Sequence, residues 1–389
     1  MVKTVLANVA GVIDSLKNIA WHDKSSCDVL IFDAEGSDLI QHCIPLGAKV
    51  NVLRVREGVP LIKSVHFFLL LFMNIGKYQR LKSALMATLV KTWNPKVVIT
   101  FIDNTDTLGK MKSLFPSIQC ISVQNGTRWQ LSRPSHPSLT FDHYFCFGKI
   151  EGDILSQNVY PVAHLYPTGS LKAGLFFAQH QPKASKEFDL CFISQFTPLD
   201  DLQTDQWTKE MLLAYYETDR DVFIQVANVA AKKNLTLCFA MSSSLGSAKY
   251  EAEKNHYAHN DQVHFIPNSQ FSSYAAVQAS RLSITTSSTL GYEALGMGER
   301  VIFGKDIKKI GSLVLKGSWQ TNLVTQHLPD LQRLYSTSDD EFSAKAESLL
   351  EMTDDCYLAY SKKARACYMN FDKNNLPQNI IKNKIATFL

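Results

Sequence analysis

Short, largely apolar runs, most of them without strict alternation, recur along the chain, separated by amphipathic stretches, and this pattern limits the folds open to it. Residues 27–32, 50–55, 96–102, 118–123, 143–147 and 164–166 are such runs in the first half. In the second half they are 188–193, 236–240, 262–266, 281–286 and 300–303. A strand with one wet face alternates apolar and polar residues; a strand buried on both faces of a parallel sheet does not. Between the runs, residues 77–92, 105–114, 150–157, 209–232, 272–279 and 290–297 carry helical periodicity, and the tail 339–389 reads as helical. Parallel strands joined by right-handed helical crossovers make an α/β fold with helices on both faces of each sheet.

At 389 residues the chain is long enough for two such units. The stretch 169–188 loses strand character and gains Lys, Gln, Pro and Ser, so the connection is expected there, between residues 1–175 and 186–389. Two doubly wound, Rossmann-like domains would face a cleft, with ligand groups at the C-terminal ends of the strands. A net charge of +4, from 40 Lys and Arg against 36 Asp and Glu, is too mild for a dedicated nucleic-acid binder. Eight cysteines occur without a CxxC pair, several inside apolar runs, and read as core thiols of a reducing compartment. No apolar h-region opens the chain, so no signal peptide is expected and the cytoplasm is the expected compartment.

Chemistry-bearing residues gather at strand ends. In the segment RLSITTSSTLGYEALGMGERVIFG, a strand runs into Thr286, Ser287, Ser288 and Thr289, which open a helix, with Glu293 one turn inside. The N-H groups at a helix start suit a phosphate, and Glu293 is placed to reach ribose hydroxyls. The same residues also suit an ordinary capped helix with a solvated acid. Ser194 and Gln195 end the strand DLCFIS and either line the same pocket or form a simple turn. In the first half one strand ends in Asp103 and the next in Gln124, Asn125, Gly126, Thr127 and Arg128. A partly desolvated Asp103 would be a base or nucleophile, and Arg128 would neutralise a phosphate or a sugar carboxylate. As plain structure, Asp103 would cap a helix and Asn125-Gly126 would make a turn. Asp33, with Glu35, is the second acidic candidate.

The segment Ser287, Ser288, Gly291, Tyr292, Glu293, Ala294, Leu295, then Gly298 and Val301, resembles the donor site of bacterial capsule and lipopolysaccharide Kdo transferases. More loosely it is similar to the C-terminal domain of GT-B glycosyltransferases. With FIDN and QNGTR, the chain also looks like surface-carbohydrate biosynthesis proteins of bacterial O-antigen clusters. The resemblance implies a nucleotide-sugar donor, CMP-linked Kdo as the specific expectation, with no further cofactor. Ser287, Ser288 and Thr289 would hold its phosphate, Glu293 its ribose, and Ser194 and Gln195 the pocket wall. The acceptor would be a glycan, lipid-linked at the cytoplasmic face of the inner membrane. Asn125 stands where Kdo transferases carry their catalytic carboxylate, so either Asp103 takes that role or the donor or stereochemistry differs.

No metal is expected. His256 and His259 have no acidic or Cys partner at ligand spacing, and the one D-x-D, Asp219 to Asp221, lies inside a helix. P-loop, dinucleotide and hydrolase-elbow motifs are missing. Residues 65–73 (VHFFLLLFM), near Lys63, Lys77 and Arg80, are too short to span a bilayer. They fit an interfacial element as well as a buried helix. Two rivals to the transferase remain: a nucleotide-sugar epimerase of the same architecture, and a non-catalytic sugar-binding or scaffold protein of the assembly complex.

Overall fold

The computed structural model describes residues 19–54, 56, 58–78, 81–127, 139–157, 160–180, 185–198, 206–258, 263–307 and 326–389. Arg80, Arg128 and His259 lie outside them. Thirteen strands are described. β1 (Ile19–His22) and β4 (Val59–Ile62) form a small parallel pair. β2 (Val29–Phe32), β3 (Val50–Leu53), β5 (Val97–Thr100), β6 (Gln119–Val123), β7 (Phe141–Cys146) and β8 (Val162–Pro167) make a parallel sheet in the order β3-β2-β5-β6-β7-β8. β9 (Phe188–Ile193), β10 (Leu237–Ala240), β11 (Val263–Ile266), β12 (Ser280–Thr285) and β13 (Val301–Phe303) make a second, in the order β11-β10-β9-β12-β13. Every pairing in both sheets is parallel, as the largely apolar runs led one to expect. β2, β5 and β10 are buried at every position.

The helices are α1 (Ser37–Gln41), α2 (Val65–Lys77), α3 (Leu81–Trp93), α4 (Thr107–Leu114), α5 (Lys149–Gln157), α6 (Leu171–Gln179), α7 (Gln206–Lys233), α8 (Ala248–His256), α9 (Ser272–Gln278), α10 (Thr289–Met297), α11 (Asp339–Glu351), α12 (Asp354–Tyr368) and α13 (Pro377–Ala386). The apolar run 65–73 is helical and forms most of α2, separate from α3.

The chain passes from β8 of the first sheet to β9 of the second through the stretch where the connection is expected, and that stretch holds α6. Its Leu171, Ala173, Leu175 and Phe176 are buried in a cluster that takes in Ile31 and Val123 from the first sheet and Ile193 and Ala240 from the second. The connector is thus a helix, because its apolar positions, Leu171 with Leu175 and Ala173 with Phe176, recur at three- to four-residue spacing and pack between the sheets. The helical tail also returns to the first half. A Cβ at Gly148 would stand 2.1 Å from the Cys367 carbonyl oxygen, so only glycine lets the start of α5 approach the end of α12 this closely. Phe388 then reaches His143 on β7, with ring centroids 5.0 Å apart.

Candidate functional site

Each sheet has one point where the chain, having wound outward in one direction, returns to wind in the other. In the first sheet this lies between β2 and β5, in the second between β9 and β12. Crossover helices leave neighbouring strands there in opposite directions, opening a crevice at their C-terminal ends. Both crevices are lined. Glu35, Gly36, Asp38, Phe101 and Phe271 border a cavity of about 460 Å³ on the first-sheet side. Ser194, Ser242, Ser288, Thr289, Leu290 and Glu293 border one of about 270 Å³ on the second-sheet side. Asn125, Lys172, Asn268, Ser269 and Gln270 line both, so the two are lobes of one cleft between the sheets. Small-molecule sites typically run to roughly 300–1,000 Å³.

The wall of the smaller lobe is the start of α10. Ser288 has the extended backbone of an N-cap, and its N-H donates to Thr285 Oγ1 at 3.2 Å while that hydroxyl donates to the Ile193 carbonyl at 3.1 Å. A helix cannot pair its first N-H groups internally, so this end carries donors and a partial positive charge. Gly291 allows the tight seating: a Cβ there would lie 2.6 Å from Thr285 Cγ2 and 3.1 Å from the Phe303 ring. Thr289 Oγ1 accepts from the Thr127 N-H at 3.2 Å, tying the β6 loop of the first sheet to this helix.

Ser288, Thr289, Ser194 and Glu293 thus meet at one cavity, as the strand-end pattern suggested. Ser287 and Gln195 do not line it. Gln195 Oε1 accepts from the Ser287 N-H at 2.6 Å, bridging the loops after β9 and β12 beside the cavity. A free amide next to an unpaired backbone donor closes on it, and side chains that the sequence aimed at a ligand became a loop clamp. Glu293 is buried. Its Oε2 accepts from Tyr274 Oη at 2.7 Å and its Oε1 from Ser170 Oγ, and burial raises its carboxyl above the usual range.

Two further buried acids brace the strand-end loops: Asp219, read in the sequence only as part of a helical D-x-D without a metal role, and Glu253, which carries no sequence signal because it sits inside a helix. Asp219 accepts from Thr286 Oγ1 at 2.5 Å, Tyr257 Oη at 2.5 Å and the Gln195 N-H at 3.4 Å; burial pushes its carboxyl up to about 6. Glu253 accepts from Ser194 Oγ at 2.5 Å, from the Ser242 and Ser243 N-H groups at 2.8 and 2.9 Å, and from Ser243 Oγ. Hydroxyl and backbone donors after three strands are thereby fixed on carboxylates that face inward.

On the opposing wall Asn125 lines both lobes, while Gln124 beneath it is locked. Its amide donates to Glu151 Oε1 at 2.7 Å and its carbonyl accepts from the Phe147 N-H at 2.7 Å. Asp103 is buried, accepts from Tyr144 Oη at 2.9 Å, and is absent from the lining of either lobe. Asp33 is also buried, in a left-handed backbone conformation (φ 81°), and pairs with Arg56 at 2.9 Å. Both acids are inward supports of their loops, because an apolar strand end leaves the next residue under the surface. The carboxylates that line the cleft from this side are Glu35, itself paired with Arg56, and Asp38.

Lys172, in the first turn of α6, is the one cation among the described residues lining the two lobes. Its Nζ stands 5.8 Å from the centroid of the Tyr274 ring. The sequence hid it inside the supposed linker. Among the described residues no cluster of His, Cys, Asp and Glu could hold a metal ion.

A family model described as "putative O-antigen biosynthesis protein" matches residues 121–320, which is 200 of the 389 residues. The chain belongs to this O-antigen biosynthesis family. The matched region runs from β6, across Asn125 and Lys172, through the start of α10. No curated protein matches the sequence. Among solved structures, UDP-GlcNAc 2-epimerase from Neisseria meningitidis, bound to UDP-GlcNAc, is 11% identical with a TM-score of 0.53, covering 94% of this chain and 99% of its own. An S. aureus MnaA-UDP structure is 12% identical, TM-score 0.50, over 92% and 94%. The wall teichoic acid polymerase TagF is 10% identical, TM-score 0.50, over 94% and 89%. At these identities the likeness concerns the fold, and the fold of this O-antigen family member is the two-sheet, GT-B-like one.

Proposed function

We propose that this family member is a glycosyltransferase of bacterial surface-polysaccharide synthesis that binds a nucleotide-sugar donor in the cleft. The observation that carries the reading is the start of α10, with Ser288 and Thr289 on the cavity wall and Lys172 on the same cavity. A departing nucleotide phosphate gains negative charge as the glycosidic bond breaks, and helix-end N-H groups, hydroxyls and an ammonium lower the energy of that state. Glu293, whose oxygens keep further lone pairs, accepts from a ribose hydroxyl in this scheme. Glu35 serves as base toward the acceptor hydroxyl from the other lobe, and Asp103 and Asp33 hold their loops. Arg128, outside the described residues, stays assigned to an anionic group of the donor.

The specific donor proposed is a CMP-linked ulosonic acid such as Kdo, whose phosphate and carboxylate both suit a cleft with Lys172. The acceptor is a lipid-linked glycan at the cytoplasmic face of the inner membrane. Neighbours solved with UDP-GlcNAc or UDP are compatible with one rival, an epimerase acting on a UDP-sugar without an acceptor.

A thermal-shift screen with CMP, UDP, GDP and dTDP separates these donors. A nucleotide at 100 times its Kd adds about 2.7 kcal/mol of stability. A shift with CMP alone supports the ulosonic acid and one with UDP alone overturns it. Incubation with the stabilising nucleotide's sugar, without acceptor, then separates epimerase from transferase by nuclear magnetic resonance of the sugar. If no nucleotide shifts the melting temperature, the donor cleft is wrongly assigned.

A further inference from the structure

Residues 58–102 contain six Lys or Arg and no Asp or Glu, so all 36 acidic residues of the chain lie outside this stretch. The helix it encodes first, α2, turns only one edge inward. Phe67 and Asn74 are buried, and Asn74 Nδ2 donates to Thr88 Oγ1 of α3 at 2.9 Å while its carbonyl accepts from Lys91 Nζ at 3.1 Å. This polar clamp sets the rotation of the helix. The opposite face then carries Val65, Phe68, Leu69, Phe72 and Met73, with Phe72 80% and Val65 79% exposed. Positions 65, 68, 69, 72 and 73 share one face at 3.6 residues per turn, so the exposure is a continuous apolar stripe. Monomeric soluble proteins seldom leave such a stripe open to water.

We infer that this face of α2 docks on an anionic lipid bilayer, lying in the interface with the apolar stripe among the acyl chains and the surrounding lysines on the headgroups. The charge pattern selects this occupant. A second copy of the chain, placed on the same surface by two-fold symmetry, would bring Lys63 and Lys77 at the ends of the stripe up against their own copies, with no acidic residue anywhere in residues 58–102 to meet them. An anionic headgroup layer supplies the missing counter-charge, and an interfacial helix needs an apolar face with basic flanks. Lys63, just before the helix, lies with its Nζ 5.3 Å from the ring centroid of Trp21, itself half exposed, which extends the amphipathic rim. Among the described residues no helix is long and apolar enough to cross a membrane, so the contact is peripheral. The surface stands apart from the donor cleft, and the inference holds or fails independently of the nucleotide reading.

The test is flotation of the full chain with vesicles of phosphatidylcholine alone or with one-third phosphatidylglycerol. Wild type should float with the anionic vesicles at least tenfold more than with the neutral ones. Phe72→Asp should abolish flotation, and Lys63→Glu with Lys77→Glu should remove the preference for phosphatidylglycerol. Phe72→Ser serves as the milder variant, and circular dichroism and the nucleotide-induced thermal shift should match wild type in each. Equal flotation with both vesicle types, flotation unaffected by Phe72→Asp, or a wild-type dimer that Phe72→Asp splits into monomers would each overturn the proposal.

Discussion

Thr127 and Thr289 meet across the cleft, the Thr127 N-H donating to Thr289 Oγ1 at 3.2 Å and the two hydroxyl oxygens 3.4 Å apart. They are 162 residues apart in the chain, one after β6 of the first sheet and one in the first turn of α10. Their contact fixes how far the wall that bears Asn125 stands from the helix start proposed to hold phosphate. Thr289→Val keeps the shape but loses the hydroxyl. Titration calorimetry with the nucleotide found by thermal shift should show binding weakened about tenfold, or ~1.4 kcal/mol. Unchanged affinity would remove Thr289 from the site.

Lys172→Met keeps the side-chain length and deletes the cleft's cation. Affinity for a nucleoside diphosphate or monophosphate is expected to fall by about ten- to a hundredfold, consistent with a charge-assisted contact worth roughly 1.5–3 kcal/mol. The dependence of the remaining affinity on salt should also flatten. A variant that binds as wild type across 50–500 mM salt would show that Lys172 faces solvent and not ligand.

Asp219 gives a stability signal with a definite sign. Its folded carboxyl titrates near 6, above the usual carboxylate range, so the folded state holds this proton more tightly than the unfolded one. Its contribution is therefore greatest at low pH and declines as pH rises from about 4 to 6. Asp219→Asn should remove that slope from a plot of melting temperature against pH. It should also cost about 1–3 kcal/mol at pH 7, because one amide oxygen cannot serve the Thr286, Tyr257 and Gln195 donors together.

His143 has the opposite sign. Burial lowers its imidazole to about 4, and it stacks on His164 with ring centroids 4.6 Å apart. The unfolded chain takes up this proton first, so stability is lost as pH falls from about 6.5 toward 4. His143→Phe loses the contacts to Gln119 and Tyr166 but cannot titrate. Its deficit against wild type, measured by urea unfolding, should shrink by about 1–3 kcal/mol between pH 7 and pH 5. A constant deficit would contradict the assignment.

Gly291→Ala tests the seating of α10. In an exposed helix alanine is the better residue by about 1 kcal/mol. Here the added methyl meets Thr285 Cγ2 at 2.6 Å, so destabilisation of about 1–3 kcal/mol is expected, with a matching loss of nucleotide binding. Stabilisation by alanine would mean that the helix start has room to move.

The strands were legible because burial on both faces of a parallel sheet writes itself into each strand as a short apolar run. β2, β5, β6, β9 and β12 all appear within a residue or two of those runs. Ser288 and Thr289 were legible for a related reason: a hydroxyl pair between a strand and a helix is a local pattern. β1 and β4 were missed, since they pair only with each other outside the two main sheets and β1 has no buried position to mark it. α6 was hidden by its Lys and Gln, which dress the ends of a helix whose middle is core.

Local chain order determined the alternation of strands and helices that makes the α/β class and the helix start at the end of β12, because each depends on residues within one or two turns of each other. The sheets themselves join residues as far apart as Phe188 and Ser280. Which polar groups face the cleft was decided only by tertiary structure. Asp33, Asp103, Ser287 and Gln195 occupy strand ends like Ser194 and Ser288, yet they are drawn onto Arg56, Tyr144 and each other, while Lys172 and Glu35 reach the cavity. A buried polar group takes whatever partner the packing brings within hydrogen-bond reach, and for Asp103 and Tyr144 that partner lies 41 residues away.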